Sequence, residues 1–291
     1  MKPWLKRLRI EKKMYKNIHQ EDSGVVKNLK AEHLETLVAP LDAYWEEALI
    51  GFADHNEIEI ESRRAGYYCL NGDNQLVAFF LSKAHARHGG DILSNLIKEH
   101  DVKAALTGTN DPYFLSLCLD IATSTSVHTL LFQDNEKVTS EPPGFDVLTF
   151  EVAMKDDFDE IFKNYCGAGE SMDAESVETG FEDLKGYIRS VMDDHQIFVL
   201  RENGKLIATS ECRISKTQKP YADVGMIVAV DQRRRGVGGH VLNLTKDFCY
   251  ERGLQPICSC EAGNIGSRKA ITKAGFVSRH RVLLVEFARR K

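Results

Sequence analysis

One stretch limits the fold more than any other: Ile227-Val228-Ala229-Val230-Asp231-Gln232-Arg233-Arg234-Arg235-Gly236-Val237-Gly238-Gly239-His240. Before it, Tyr221 to Val230 is rich in β-branched and small apolar residues, as a buried strand requires. After it, Val241, Leu242, Leu244, Thr245 and Phe248 recur at helical spacing, and Gly253 supplies a stop. Strand, basic glycine-rich turn and helix thus follow one another without a break.

The same turn has chemistry. The first backbone N–H groups of a helix have no partner inside it, and the helix dipole adds partial positive charge there. Glycines at 236, 238 and 239 let an anion approach the backbone without meeting a Cβ. Arg233, Arg234 and Arg235 add charge suited to phosphate. The alternative is a plain turn with a solvated basic run. The stretch is not a Walker loop, since no Gly-Lys-Ser/Thr follows, nor does it have the Gly-x-Gly-x-x-Gly spacing of a dinucleotide fingerprint.

Arg233-Arg234-Arg235-Gly236-Val237-Gly238 resembles motif A of the GNAT acetyltransferase superfamily, Arg/Gln-x-x-Gly-x-Gly/Ala. Downstream, Asn264-Ile265-Gly266-Ser267 and Lys273-Ala274-Gly275-Phe276 resemble that family's Asn-x-x-Ala/Ser…Lys-x-Gly-Phe segment. The two matches stand in order, separated by one helix and one strand, and the resemblance spans Thr149 to Phe287. It implies an α/β (α+β) fold with a central mixed, mostly antiparallel twisted sheet flanked by helices.

The chain has 291 residues, more than a typical single domain, so two domains are expected. Apolar content is 43%, which suits a soluble globular protein. A formal net charge of −5 argues against nucleic-acid binding. The basic run Lys2 to Lys16 is followed by no apolar core of a signal peptide, and no segment approaches the ~20 apolar residues of a membrane span. Seven cysteines without a Cys-x-x-Cys pair disfavour a disulfide framework or zinc ribbon, suit a reducing cytoplasm, and call for no metal. Cys258 and Cys260 share a strand face and read as packing residues first.

Along the chain, Met1 to His19 reads as a polar helix or frayed end. Helical spacing runs from His33 to Phe52, interrupted by Pro40. Gly66–Leu70 and Gln75–Ser82 read as a hairpin across Asn71-Gly72-Asp73-Asn74. Then Arg87-His88-Gly89-Gly90 opens a helix, Val102–Leu106 is a strand, Asp111-Pro112 begins a helix, and Val127–Phe132 is a strand. The C-terminal half repeats that order from Gly236 onward. We therefore expect a tandem pair: a degenerate GNAT-like domain at 1–140 and a catalytic GNAT domain at 145–291, joined across Pro142-Pro143-Gly144. The first copy lacks the Arg-x-x-Gly-x-Gly spacing and is expected not to bind coenzyme A, but to shape the substrate cleft or fix the assembly. In the second, Glu202-Asn203-Gly204-Lys205 turns a hairpin between Ile197–Leu200 and Leu206–Ile214.

The resemblance implies acetyl-CoA as acyl donor, with longer acyl groups left open. Its pyrophosphate would sit on the backbone of Arg235, Gly236, Val237, Gly238, Gly239 and His240, near Arg233. Its pantetheine would pair with Val228-Ala229-Val230, a backbone N–H near Val228 polarising the thioester carbonyl. Asn264, beside Ser267, would touch the pantetheine arm, or simply cap the following helix. Gly236 and Gly238 are expected to face the anion, so that Gly238→Asp weakens donor binding with thermal stability little changed.

The acceptor would be a small-molecule amine attacking directly in a ternary complex. An alkyl amine near pKa ~10 is roughly 0.1% neutral at pH 7, so a carboxylate would help. Glu211 and Asp223 are the candidates, each with a plain alternative as a strand residue or ion-pair partner. Asp223 falls one position early for the family's strand carboxylate. The family's tyrosine, seven residues after the Asn, is Ile271 here. A covalent acyl carrier at Cys260 would need an electropositive setting. The second reading is a catalytically weak acyl-CoA-binding module, a sensor or scaffold. Expected partners are donor and acceptor alone, without nucleic acid or membrane, and a homodimer is open.

Overall fold

The computed structural model describes residues 15–17, 23–138, 144–168 and 177–288. They fall into two compact units. One takes the described residues of Met1–Ala39, Tyr44–Val127 and Val282–Lys291; the other takes Pro40–Ala43 and His128–Arg281.

In chain order the first unit contains β1 (Tyr15–Asn17), α1 (Ser23–Thr36), a π-helical turn (Tyr44–Leu49), β2 (Asp54–Ile60), β3 (Arg63–Leu70), β4 (Leu76–Leu81), α2 (Gly89–Glu99), β5 (Ala104–Gly108), α3 (Pro112–Leu119) and the start of β6 (Ala122–Asp134). The second contains the rest of β6, β7 (Leu148–Val152), α4 (Phe158–Ala168), α5 (Val177–Asp193), β8 (Ile197–Glu202), β9 (Lys205–Ile214), β10 (Tyr221–Val228), α6 (Val237–Glu251), β11 (Gln255–Glu261), α7 (Ile265–Lys273) and the start of β12 (Phe276–Phe287). The expected repeat is present: β4-α2-β5-α3-β6 is matched by β10-α6-β11-α7-β12.

The strand order is β1-β2-β3-β4-β5-β12 in the first unit and β6-β11-β10-β9-β8-β7 in the second. Among the described pairs only β4–β5 and β10–β11 are parallel. Each unit therefore takes one strand from the other half of the sequence. Val282–Glu286 of β12 pairs with Ala104–Gly108, and Val285 and Phe287 join the core of Leu76, Phe79, Ile92, Leu93 and Phe114. Thr129–Gln133 of β6 pairs with Ile257–Glu261, and Leu130 and Phe132 join the core of Phe198, Val224, Leu242 and Phe276.

Local chemistry explains several boundaries. Asn203 (φ 49°) and Gly204 (φ 80°) make the expected β8–β9 turn. The β2–β3 turn also has two successive positive φ values, 52° at Glu61 and 61° at Ser62, without an Asn-Gly or Asp-Gly signal, and the sequence does not reveal β2. The helix expected over His33–Phe52 is corrected. α1 ends at Thr36, before Pro40, and Tyr44–Leu49 is a separate π-helical turn. The expectation for Met1–His19 lies outside the described residues, apart from the strand Tyr15–Asn17.

Gly275 of the Lys-x-Gly-Phe segment has a packing reason. Its φ is +87°, and a Cβ there would lie 2.5 Å from the Glu136 carbonyl oxygen. The N–H groups of Asn135 and Glu136 donate to the Gly275 carbonyl, and buried Lys246 reaches the carbonyls of Glu136 and Ala274, each at 2.7 Å. Gly275→Ala is expected to destabilise the protein by roughly 1–3 kcal/mol, combining left-handed strain with displaced backbone. A lower urea midpoint at unchanged m-value would show it.

Candidate active site

In the second unit β10 and β11 pair only over Tyr221–Asp223 and Gln255–Ile257. Beyond that point β10 keeps β9 as its partner up to Val228, and β11 keeps β6 up to Glu261. The two parallel strands thus part and leave a wedge. The Ala229 N–H bonds back to the Ile207 carbonyl on β9 at 3.0 Å. Backbone alternation therefore points the Val228 N–H the other way, into the wedge. Val230 is exposed and begins a tight turn through Gln232.

That turn delivers α6. Gly236 caps the helix in the left-handed conformation, φ 86° and ψ −2°. The first helical bond described runs from the His240 N–H to the Gly236 carbonyl at 3.2 Å, so Val237, Gly238 and Gly239 precede it with N–H groups the helix does not use. The arginine side chains of the motif have neighbours of their own. Arg233 Nε donates to the Val228 carbonyl at 3.3 Å. Arg235 stacks over Phe145 at 4.3 Å, bonds Gln232, and lies 3.6 Å from Glu202. Gly238 is needed for packing as well: a Cβ would sit 3.2 Å from Ala270 Cβ and 3.4 Å from Met226 Sδ. Gly238→Asp would therefore press on packed neighbours, so it does not separate anion binding from stability. Gly239 has more room, its nearest neighbour being the Ala270 carbonyl at 3.6 Å.

Asn264 caps α7: its Oδ1 accepts the Ser267 N–H at 3.0 Å. Ile271 is buried among Cys258, Leu242 and Phe276. Burial pushes the Cys260 thiol up to about 11, so it holds little thiolate at neutral pH.

Glu211 and Asp223 lie on one face of the sheet. Register pairs Arg213 with Asp223 and Glu211 with Gly225 across β9–β10. A Cβ on Gly225 would meet nothing closer than Glu211 Cβ, 3.9 Å away, so the strand beside Glu211 is open. Both Glu211 oxygens receive phenols: Tyr165 of α4 donates to Oε1 and Tyr187 of α5 to Oε2, each at 2.5 Å. Arg213 Nε is 3.3 Å from Oε2. Asp223 is more enclosed. It takes Arg213 at 2.5 Å and the Ala43 N–H at 3.2 Å. Burial pushes its carboxyl up, Asp42 and Glu211 push the same way, and Arg213 pulls it back. The segment Pro40–Ala43 is held by Gln218, which both donates to and accepts from the Leu41 backbone. Sequence reasoning missed Tyr165, Tyr187, Arg213 and this segment. Only Arg213 had a signal, two residues from Glu211 on a strand.

The first unit repeats the wedge without the glycine-capped helix start. β4 and β5 pair at Leu76–Ala105 alone. There a 3₁₀ turn, Ala86–His88, runs straight into α2, and the His88 and Gly89 N–H groups are spent on the His85 and Ala86 carbonyls. Gly89 makes room for Tyr113, whose hydroxyl would lie 2.1 Å from a Cβ there and donates to the Ala86 carbonyl at 2.6 Å. Buried His33 bridges Tyr67 on β3 (2.7 Å) and Asp111 after β5 (2.8 Å), and stacks on Phe80 of β4. Asp111 caps α3 as Asn264 caps α7.

Among the described residues, no His/Cys/Asp/Glu group could hold a metal and no helix is long and apolar enough to cross a membrane. Two family models match: an acetyltransferase (GNAT) domain over residues 23–135 and the acetyltransferase (GNAT) family over 156–276. No protein with curated annotation matches. Among solved structures, a GNAT-family acetyltransferase from Colwellia psychrerythraea is 25% identical, with 94% of this chain and 99% of that one covered at a TM-score of 0.84. A tandem GNAT protein from the clavulanic acid biosynthesis pathway is 14% identical over 95% and 99%, with a TM-score of 0.64, a likeness of fold. With one GNAT match on each half, on two units that repeat the same order of elements, the chain belongs to the GNAT acetyltransferase superfamily as a tandem of two GNAT domains.

Proposed function

We propose that the second unit transfers an acetyl group from acetyl-CoA to the amine of a small molecule, by direct attack in a ternary complex. The observation that carries this reading is the wedge between β10 and β11, leading into the Gly236-capped start of α6. The donor's pyrophosphate would lie on the N–H groups of Val237, Gly238 and Gly239, which are oriented before any ligand arrives. Pantetheine would run along Val228–Val230, near Asn264 and Ser267. The thioester oxygen would take the Val228 N–H, whose donor is worth most as charge develops on that oxygen. Glu211, beside the open strand at Gly225, is the base; Asp223 serves mainly to hold Arg213.

The test is thiol release from acetyl-CoA across amine classes, with calorimetry for donor affinity. Gly239→Asp should weaken donor binding at least tenfold, about 1.4 kcal/mol. A carboxylate in the first turn of a helix favours the helix while repelling an anion; because Gly239 is buried, Tm is measured alongside, and the loss of affinity counts only at a retained Tm. Unchanged affinity would remove the phosphate assignment.

The first unit is read as not binding the donor, because its turn spends its N–H groups internally and His33 bridges its wedge. Calorimetry should then give one donor site per chain, and two equivalent sites would overturn this. The acyl-CoA-binding module is the second reading, favoured by Ile271, which sits in the core where the family's acid would stand. Donor binding without thiol release for any amine would decide for it.

A further inference from the structure

The geometry points to Tyr187 as a catalytic residue that passes the acceptor's proton to Glu211. This rests on the acetyl-transfer reading above and adds a proton path to it. Both Glu211 oxygens already receive phenolic hydroxyls at 2.5 Å, from Tyr165 and Tyr187, so an incoming ammonium meets an occupied carboxylate. The two phenols differ in access. Tyr165 is buried with Ile161 and Ile188, whereas Tyr187 is 36% exposed. Gly225, opposite Glu211, leaves the neighbouring strand open. The other charged groups at Glu211 are Arg213 on its own strand and, through Arg213, Asp223 on β10. Burial, and then the Glu211 charge, hold the Tyr187 hydroxyl well above the ordinary phenol range, so it rests protonated, as a relay must.

The step balances. The substrate ammonium gives one proton to Tyr187 Oη as the phenolic proton passes to Glu211 Oε2. The freed nitrogen lone pair forms the C–N bond to the thioester carbonyl. The tetrahedral intermediate then breaks its C–S bond, and the proton still in excess on nitrogen goes to the departing thiolate. The products are the amide and coenzyme A thiol, and Glu211 returns its proton to water. No acid is needed at Ile271. Tyr165 is a positioning residue that fixes Oε1.

The test compares acceptors that need proton removal with one that does not. Full-length wild type, Y187F and Y165F are assayed at pH 7 with acetyl-CoA and n-butylamine, 1,4-diaminobutane or lysine, and separately with hydroxylamine, which is already largely neutral. Y187F should lose ~10²–10⁴-fold on the alkylamines, only a few-fold on hydroxylamine, and keep its acetyl-CoA Kd. Y165F loosens Glu211 at Oε1 but leaves the Tyr187–Oε2 contact in place, so its loss on the alkylamines should be smaller than that of Y187F. The Y187F/E211Q double variant should be no slower than the slower single variant, because the two act as one unit. Equal loss on both acceptor types, no loss on the alkylamines, or multiplying losses in the double variant would overturn the relay, as would wild-type turnover of hydroxylamine alone. Absence of turnover with all four amines would overturn the relay for these acceptors, while the acetyl-transfer reading is decided by the wider amine screen.

Discussion

Glu211→Gln is expected to lower kcat by ~10²–10⁴, with the acetyl-CoA Kd retained. The amide keeps the size of the side chain and can still accept a phenol, but it takes no proton. Asp223→Asn is the contrast. Asp223 is 4% exposed and tied to Arg213 at 2.5 Å, so its amide leaves a buried guanidinium poorly balanced. Breaking such a pair costs about 3–5 kcal/mol, and the loss should appear as a lower Tm with kcat at low temperature largely kept. A kcat for E211Q near wild type on a confirmed acceptor would remove Glu211 as the base. A collapse of kcat in D223N without loss of stability would transfer that role to Asp223.

Deleting Val282–Lys291 is expected to unfold the first unit, although that unit begins near the other end of the sequence. Val282, Val285 and Phe287 are buried, the last two in the first unit's core, and Val282–Glu286 supplies one neighbour of β5. Burial of three such side chains is worth roughly 5–9 kcal/mol. That is comparable with the whole stability of a typical domain. Hydrogen exchange should show protection lost from β3, β4 and α2 in the truncated chain. Retained protection there would show that the first unit needs no strand from the C-terminal half.

Local order was legible in the sequence where side-chain period and turn chemistry agree. Asn203-Gly204, the Val241–Phe248 helix and the echo between the two halves all emerge in the structure as read. β2 was not legible, because Glu57 and Glu59 dilute its apolar pattern and Glu61-Ser62 turns without a Gly or Asn. The glycines at the start of α6 stand out in the sequence, but their packing does not. Nothing in Gly238 itself announces Met226 and Ala270 at its back. On β9, Glu211 stood out as a strand carboxylate. Its tyrosines come from two helices whose periodicity marks only an apolar face, so Tyr165 and Tyr187 read as ordinary amphipathic residues. The partners of β5 and β11 were also hidden, since hydrophobic alternation tells which face of a strand is buried and not which strand lies beside it.

That strand exchange also sets a schedule for biosynthesis. β5 is complete at Gly108, yet its partner begins at Val282. At ~5–20 residues per second, roughly 9–35 s of translation separate the two. Through that interval the nascent first domain carries an open sheet edge, a template for pairing with another chain. The second domain meets no such wait, because its borrowed strand, Thr129–Gln133, leaves the ribosome before the rest of its sheet. The N-terminal domain therefore does not close first: its sheet waits for residues that follow the whole of the second domain.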